Sequence, residues 1–97
     1  MKNLGEMIRE LREAQDIPLR IVSAFLDVDP AILSKIERGQ RKPTKEQVIK
    51  LAEYFKVSKD DLIIAWLSDK IVYEMEDEEQ ALKALHVAEH KIKYSKK

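Results

Sequence analysis

Five basic residues, Lys35, Arg38, Arg41, Lys42 and Lys45, stand between positions 35 and 45 with one acid, Glu37, among them. The chain as a whole has no basic excess, since 18 Lys and Arg face 18 Asp and Glu. Binding to a polyanion must therefore rest on this local cluster, because a nucleic-acid surface gathers positive charge on one face. The acids from Glu74 to Glu79 lie far from the cluster in sequence. A second group is His86-Val87-Ala88-Glu89-His90, which fits the zinc-hydrolase spacing H-x-x-E-H. Two histidines four apart share a helix face and can hold zinc, but a catalytic site needs a third ligand and a pocket. No distant ligand-bearing motif accompanies this segment, so it is expected to be an exposed, incidental pair.

The bulk numbers bound what can position such groups. Ninety-seven residues allow one small domain with a short appendage. The chain is 44% apolar and 37% charged, which suits a small core under a solvated helical surface. With only 2 Gly and 3 Pro, a turn-rich β fold is disfavoured. The absence of cysteine excludes a disulfide framework and a thiolate metal site. No apolar run reaches the roughly 20 residues of a membrane span, and the N-terminus lacks a signal-peptide apolar segment. No membrane partner and a cytoplasmic location are expected.

The periodicity is helical throughout, so the expected class is all-α. Leu4, Met7, Ile8 and Leu11 form an i, i+3, i+4, i+7 stripe after a cap at Asn3 with Glu6. The first helix is predicted from about Leu4 to Gln15. Pro18 opens the second, whose apolar side is Val22, Phe25 and Leu26. Asp29 caps the third, with Pro30 at its first position, Leu33 and Ile36 inward, and Gly39 as the stop. Thr44 with Gln47 starts the fourth, carrying Val48, Leu51, Ala52 and Phe55. Ser58 with Asp61 starts the fifth, carrying Leu62, Ile63, Trp66 and Leu67. The core is expected to close near Leu67, and Ile71, Val72 and Met75 extend that helix to about Glu74. Asp77 with Gln80 signals a sixth helix from about Glu78 to Lys93, with acids in its first turn and lysines in its last. Its stripe of Ala81, Leu82, Leu85, Ala88 and Ile92 is expected to pack on the extended fifth helix and on a second subunit.

Residues 17–43 therefore read as a short helix, a tight turn at Asp27-Val28-Asp29, a second short helix and a Gly-stopped basic loop. That spacing is the geometry that sets a second helix into a DNA major groove. The stretch resembles the helix-turn-helix of the Cro/lambda-repressor-like (XRE) family, through Ile17, Val22, Ser23, Val28, Leu33, Ser34, Ile36, Glu37, Gly39 and Pro43.

The resemblance implies a five-helix lambda-repressor-like DNA-binding domain over residues 1–67. Residues 68–97 then form a C-terminal helical extension serving dimerisation. It implies base contacts from Pro30, Ala31, Ser34 and Lys35, and phosphate contacts from Arg38, Arg41, Lys42 and Lys45, with Arg20 expected to substitute for the phosphate anchor that this chain lacks at the start of its second helix. It implies a structural ion pair between Arg12 and Glu37. Two departures stand out. Many relatives carry Gln or Arg at the first two base-facing positions, where this chain has Pro30 and Ala31. Relatives often carry Ser or Thr then Gln at the start of the second helix, where this chain has Pro18 and Leu19. Trp66, Tyr73, Leu82 and Leu85 are the expected dimer interface, because aromatic residues concentrate in such contacts.

The first functional reading is thus a sequence-specific DNA-binding transcriptional regulator of the XRE type, a repressor. It would bind double-stranded DNA as a homodimer, without catalysis, metal or cofactor. The alternative is a protein-interaction module, such as the antitoxin of a toxin–antitoxin pair, with another surface holding a protein partner. Zero net charge and an apolar third helix favour that alternative, and the basic cluster opposes it. A small zinc hydrolase would rest on His86, Glu89 and His90 alone.

Overall fold

The computed structural model describes residues 2–96, which form α1 (Leu4–Ala14), α2 (Leu19–Leu26), α3 (Pro30–Glu37), α4 (Lys45–Phe55), α5 (Lys59–Met75) and α6 (Ala81–Ser95). Most starts are fixed by local capping. Asn3 accepts the Glu6 N–H at 2.9 Å, and Asp29 accepts the Ala31 N–H at 2.8 Å. Thr44 and Gln47 make a reciprocal box, and Ser58 accepts the Asp61 N–H at 3.2 Å. Pro18 and Pro30 stand at the entries of α2 and α3, where a missing N–H costs nothing. After α3, Gly39 takes φ +75°, a left-handed conformation that a side chain resists.

Helices α1 to α5 enclose one core. Leu4, Ile8, Val22, Leu26, Leu33, Ile36, Val48, Leu51, Phe55 and Leu62 are almost fully buried there. Each contributes about 1.5–3 kcal/mol relative to exposure. Their spacing follows the helical stripes of the sequence, so burial and local propensity agree. The α2–α3 unit packs internally and against α4, and α1 runs beside the C-terminal half of α3. That second contact is close because Gly5 has no side chain, as its position against the Ile36 and Glu37 carbonyls requires. Asp69 on α5 accepts the Leu4 N–H at 2.9 Å, which ties α5 to the start of α1.

Four expectations need correction. Phe25 is half-exposed and stacks its ring on Tyr54, centroids 4.8 Å apart, instead of entering the core. Leu67, expected on the apolar side of the fifth helix, stays exposed on the far side of α5, while Ala65 is the last buried residue and Trp66 packs against the core. The sixth helix starts at Ala81, not Glu78; Gln80 is its cap and Asp77 makes no capping bond. Carboxylates at Glu74, Glu76, Asp77, Glu78 and Glu79 repel one another and oppose the negative end of the α5 dipole. The chain turns there, and Glu78 and Glu79 precede α6 rather than forming its first turn.

The fourth correction concerns packing. Helix α6 buries no residue; Leu82 is 82% exposed, while Leu85 and Ala88 are only partly covered. On α5, Met75 is partly covered but Ile71 and Val72 are exposed. The apolar stripe of α6 therefore finds little cover within its own chain.

Candidate nucleic-acid interface

The α2–α3 unit is a helix-turn-helix whose turn is Asp27-Val28-Asp29. Asp27 ends α2 at φ 57°, and a short polar side chain tolerates that conformation. The carboxylate of Asp29 is engaged as the α3 cap. Leu33 and Ile36 anchor the inner face of α3. The outer face presents Pro30, Ala31 and Lys35 to solvent, with Ser34 partly covered. This face can make apolar contacts through Pro30 and Ala31, a hydroxyl contact through Ser34 and a cationic contact through Lys35.

Glu37 closes α3 from behind. Its carboxylate, with a side chain 5% exposed, takes two hydrogen bonds from Arg12, Nε to Oε2 at 2.8 Å and Nη2 to Oε1 at 2.9 Å. Arg12 also donates Nη1 to the Ile17 carbonyl at 3.1 Å, so one guanidinium joins α1, the entry to α2 and the end of α3. The hydrogen bond to Glu37 pushes the Arg12 pKa above the ordinary guanidinium value, against a smaller opposing effect of burial. A raised pKa means that the stability from this charge is complete at neutral pH. It is lost only as pH climbs through that raised value.

The cationic residues fall at different places around this unit. Arg20 is exposed in the first turn of α2, and Lys45 is exposed at the start of α4. Arg38 caps α3 and turns Nε back onto the Ser34 carbonyl at 3.3 Å, leaving its remaining N–H groups free of that bond. Arg41 and Lys42 are exposed on the loop between α3 and α4.

That loop is held by α5. The Trp66 indole donates Nε1–H to the Pro43 carbonyl at 2.8 Å. Lys42 Nζ sits 3.8 Å from the Tyr73 ring centroid. Trp66 and Tyr73 thus face the basic loop of their own chain, although their type suggested contact with a second subunit. Sequence reasoning missed this arrangement and the Asp69 bond to Leu4. The i, i+7 spacing of Trp66 and Tyr73 puts both on one face of α5, which was a usable signal.

The His86 and His90 rings meet edge to face, centroids 4.8 Å apart, on exposed α6. Glu89 Oε1 is 4.0 Å from His86 Nδ1. Among the described residues no group of three His, Cys, Asp or Glu is placed to hold a metal ion.

A family profile described as Helix-turn-helix matches residues 8–62, more than half of the chain and the span from α1 to the start of α5. The chain belongs to the XRE-type helix-turn-helix family of DNA-binding transcriptional regulators. A relative in Bacillus subtilis (strain 168), the uncharacterized HTH-type transcriptional regulator RghRB, is 35% identical over 66 residues. The match covers 67% of this chain and 48% of that protein, so the chain spans about half the length of this curated relative. The crystal structure of the clp gene regulator ClgR from Corynebacterium glutamicum matches with a TM-score of 0.59 and 26% identity. That match covers 86% of this chain and 89% of that one. In XRE-family proteins the second helix of this unit is the recognition helix; the corresponding α3 here begins with Pro30 and Ala31, which carry no side-chain hydrogen-bond donor. Among the described residues no helix is long and apolar enough to cross a membrane.

Proposed function

We propose that this chain is a sequence-specific transcriptional repressor in the cytoplasm that binds double-stranded DNA as a homodimer, without catalysis or cofactor. The observation that carries the reading is the juxtaposition of the exposed α3 face with the cations that flank it. Pro30, Ala31, Ser34 and Lys35 would meet base edges in the major groove. Arg20, Arg38, Arg41, Lys42 and Lys45 would hold phosphates on either side. Phosphate contacts supply affinity and base contacts supply preference.

Selection from a random duplex library is the first test. It should return a two-part site whose halves are about one helical turn apart. Arg41→Ala with Lys42→Ala should weaken selected and random DNA alike. The slope of log K against log salt should shrink by about 0.9 for each phosphate that the variant no longer neutralises. An unchanged slope would take both residues out of the interface.

The proposed dimer surface follows from exposure. Ile64, Leu67 and Ile71 lie on one side of α5 at i, i+3 and i+7, and all three are exposed. Helix α6 adds the exposed Leu82. A second copy of the chain would cover this surface, giving residues 68–97 a dimerising role and linking two half-sites. Leu67→Asp with Ile71→Asp should sediment as a monomer with native helicity and bind the two-part site weakly. A variant that still sediments as a dimer would move the interface elsewhere.

A second reading is a protein-interaction module of the antitoxin kind. It is favoured by the half-exposed Ile21 and Phe25 on α2, beside a recognition helix poor in donors. Failure of the library to yield any preferred sequence, together with a protein partner that co-purifies, would establish that reading in place of the first.

A further inference from the structure

We infer that Lys70, on α5 and outside the helix-turn-helix, is a further DNA phosphate contact, so that the DNA-binding surface continues from the basic loop onto α5. The inference rests on the DNA-binding reading above. Trp66, Lys70 and Tyr73 stand at i, i+4 and i+7, which places them on one side of α5. That side faces the loop, as the Trp66 bond to the Pro43 carbonyl at 2.8 Å shows. Lys70 Nζ lies 3.5 Å from the Trp66 ring centroid, and Lys42 Nζ lies 3.8 Å from the Tyr73 ring centroid. Arg41, Lys42 and Lys70 line a single open groove of about 450 Å³ between the loop, the start of α1 and α5.

The way the two lysines are held indicates what the groove takes. A carboxylate partner neutralises an ammonium, whereas an aromatic face orients it and leaves its charge intact. A lysine above a ring keeps N–H donors pointing away from the ring. Among the described residues none of Arg41, Lys42 and Lys70 has an ion-pair partner. Among the other charged groups of the groove, Lys2 pairs with Glu10, while Asp69 accepts the Leu4 N–H, a neutral donor that does not offset its charge. Glu76 lines the groove as well, so two acids, Asp69 and Glu76, stand beside the three cations. The groove therefore offers more positive than negative groups, two of them, Lys42 and Lys70, oriented by rings, beside the loop that the DNA-binding reading sets along the phosphate backbone. A phosphodiester oxygen is the ligand that fits, and ordering of the lysine stem by Trp66 lowers the entropy cost of binding it.

The test is a salt series on full-length wild type, Lys70→Gln and Lys70→Arg with one duplex carrying the selected site. The Lys70→Gln slope should fall by about 0.9 for the phosphate released, hence by about twice that in a dimer, while Lys70→Arg keeps the wild-type slope. Circular dichroism and sedimentation of all three should be unchanged, because Lys70 contributes no buried polar group. A steep wild-type slope that Lys70→Gln leaves unaltered overturns the inference and spares the DNA-binding reading. An equal fall of slope in Lys70→Gln and Lys70→Arg also overturns it, since a guanidinium would serve a phosphate as well. A wild type with no salt dependence at all defeats the underlying reading itself.

Discussion

Gly5→Ala is expected to destabilise the fold by about 3 kcal/mol, at the upper end of the range for overpacking a close contact. A Cβ at position 5 would meet the Ile36 carbonyl oxygen, the Glu37 carbonyl oxygen at 2.6 Å and the Glu37 carbonyl carbon at 2.9 Å. All three are backbone atoms, so no rotamer change can relieve the overlap. Alanine would also gain about 1 kcal/mol of helix propensity over glycine, and the steric term must exceed that gain. Relief requires α1 to move away from the end of α3. Such a shift strains the Arg12–Glu37 bonds and loosens Leu4 and Ile8, which are buried in the same contact. Urea denaturation followed by circular dichroism measures the loss. A Gly5→Ala variant as stable as wild type would show that α1 and α3 can separate at no cost. Gly39→Ala makes a useful contrast, because its strain is conformational and its nearest side-chain neighbour is 3.9 Å away.

The difference between these two glycines shows what the sequence could reveal. Gly39 follows an amphipathic helix and precedes a basic loop, so its role as a helix stop is a local property. The caps at Asn3, Asp29, Thr44 and Ser58 are local too, and they set the helix starts within about one residue of expectation. Gly5 is different. Its requirement comes from carbonyls more than thirty positions away, and only its cost inside a helix hinted at a reason. Exposure was also hard to foresee. The stripe on α6 has the period of a buried face, but period says nothing of where the covering partner is. Trp66 and Tyr73 showed a shared face without showing that the face meets their own basic loop. Arg12 and Glu37 illustrate an intermediate case: no local spacing links residues 25 apart, and only resemblance to a family suggested that they meet.

Arg12→Ala is expected to cost about 3–5 kcal/mol, a large share of the stability of a domain this small. The loss has little to do with the net worth of the ion pair. Glu37 has a side chain 5% exposed, and its two oxygens are served by Arg12 Nε and Nη2. Removing the guanidinium leaves a largely buried carboxylate without either of the donors that serve it. Glu37→Ala should cost less, because the Arg12 side chain is 16% exposed, keeps the Ile17 carbonyl and can turn toward solvent. Arg12→Met combined with Glu37→Leu removes both charges and fills the same space, so it should recover most of the stability. The three variants together separate two roles for the pair. If it only braces the recognition helix, the double variant will bind the selected DNA site as wild type does, with the same salt slope. If the double variant is stable but binds weakly, the fork of hydrogen bonds must set the angle of α3 more finely than apolar packing can. Unfolding curves and one binding titration decide between these outcomes, and an Arg12→Ala variant of wild-type stability would refute the premise that Glu37 depends on its partner.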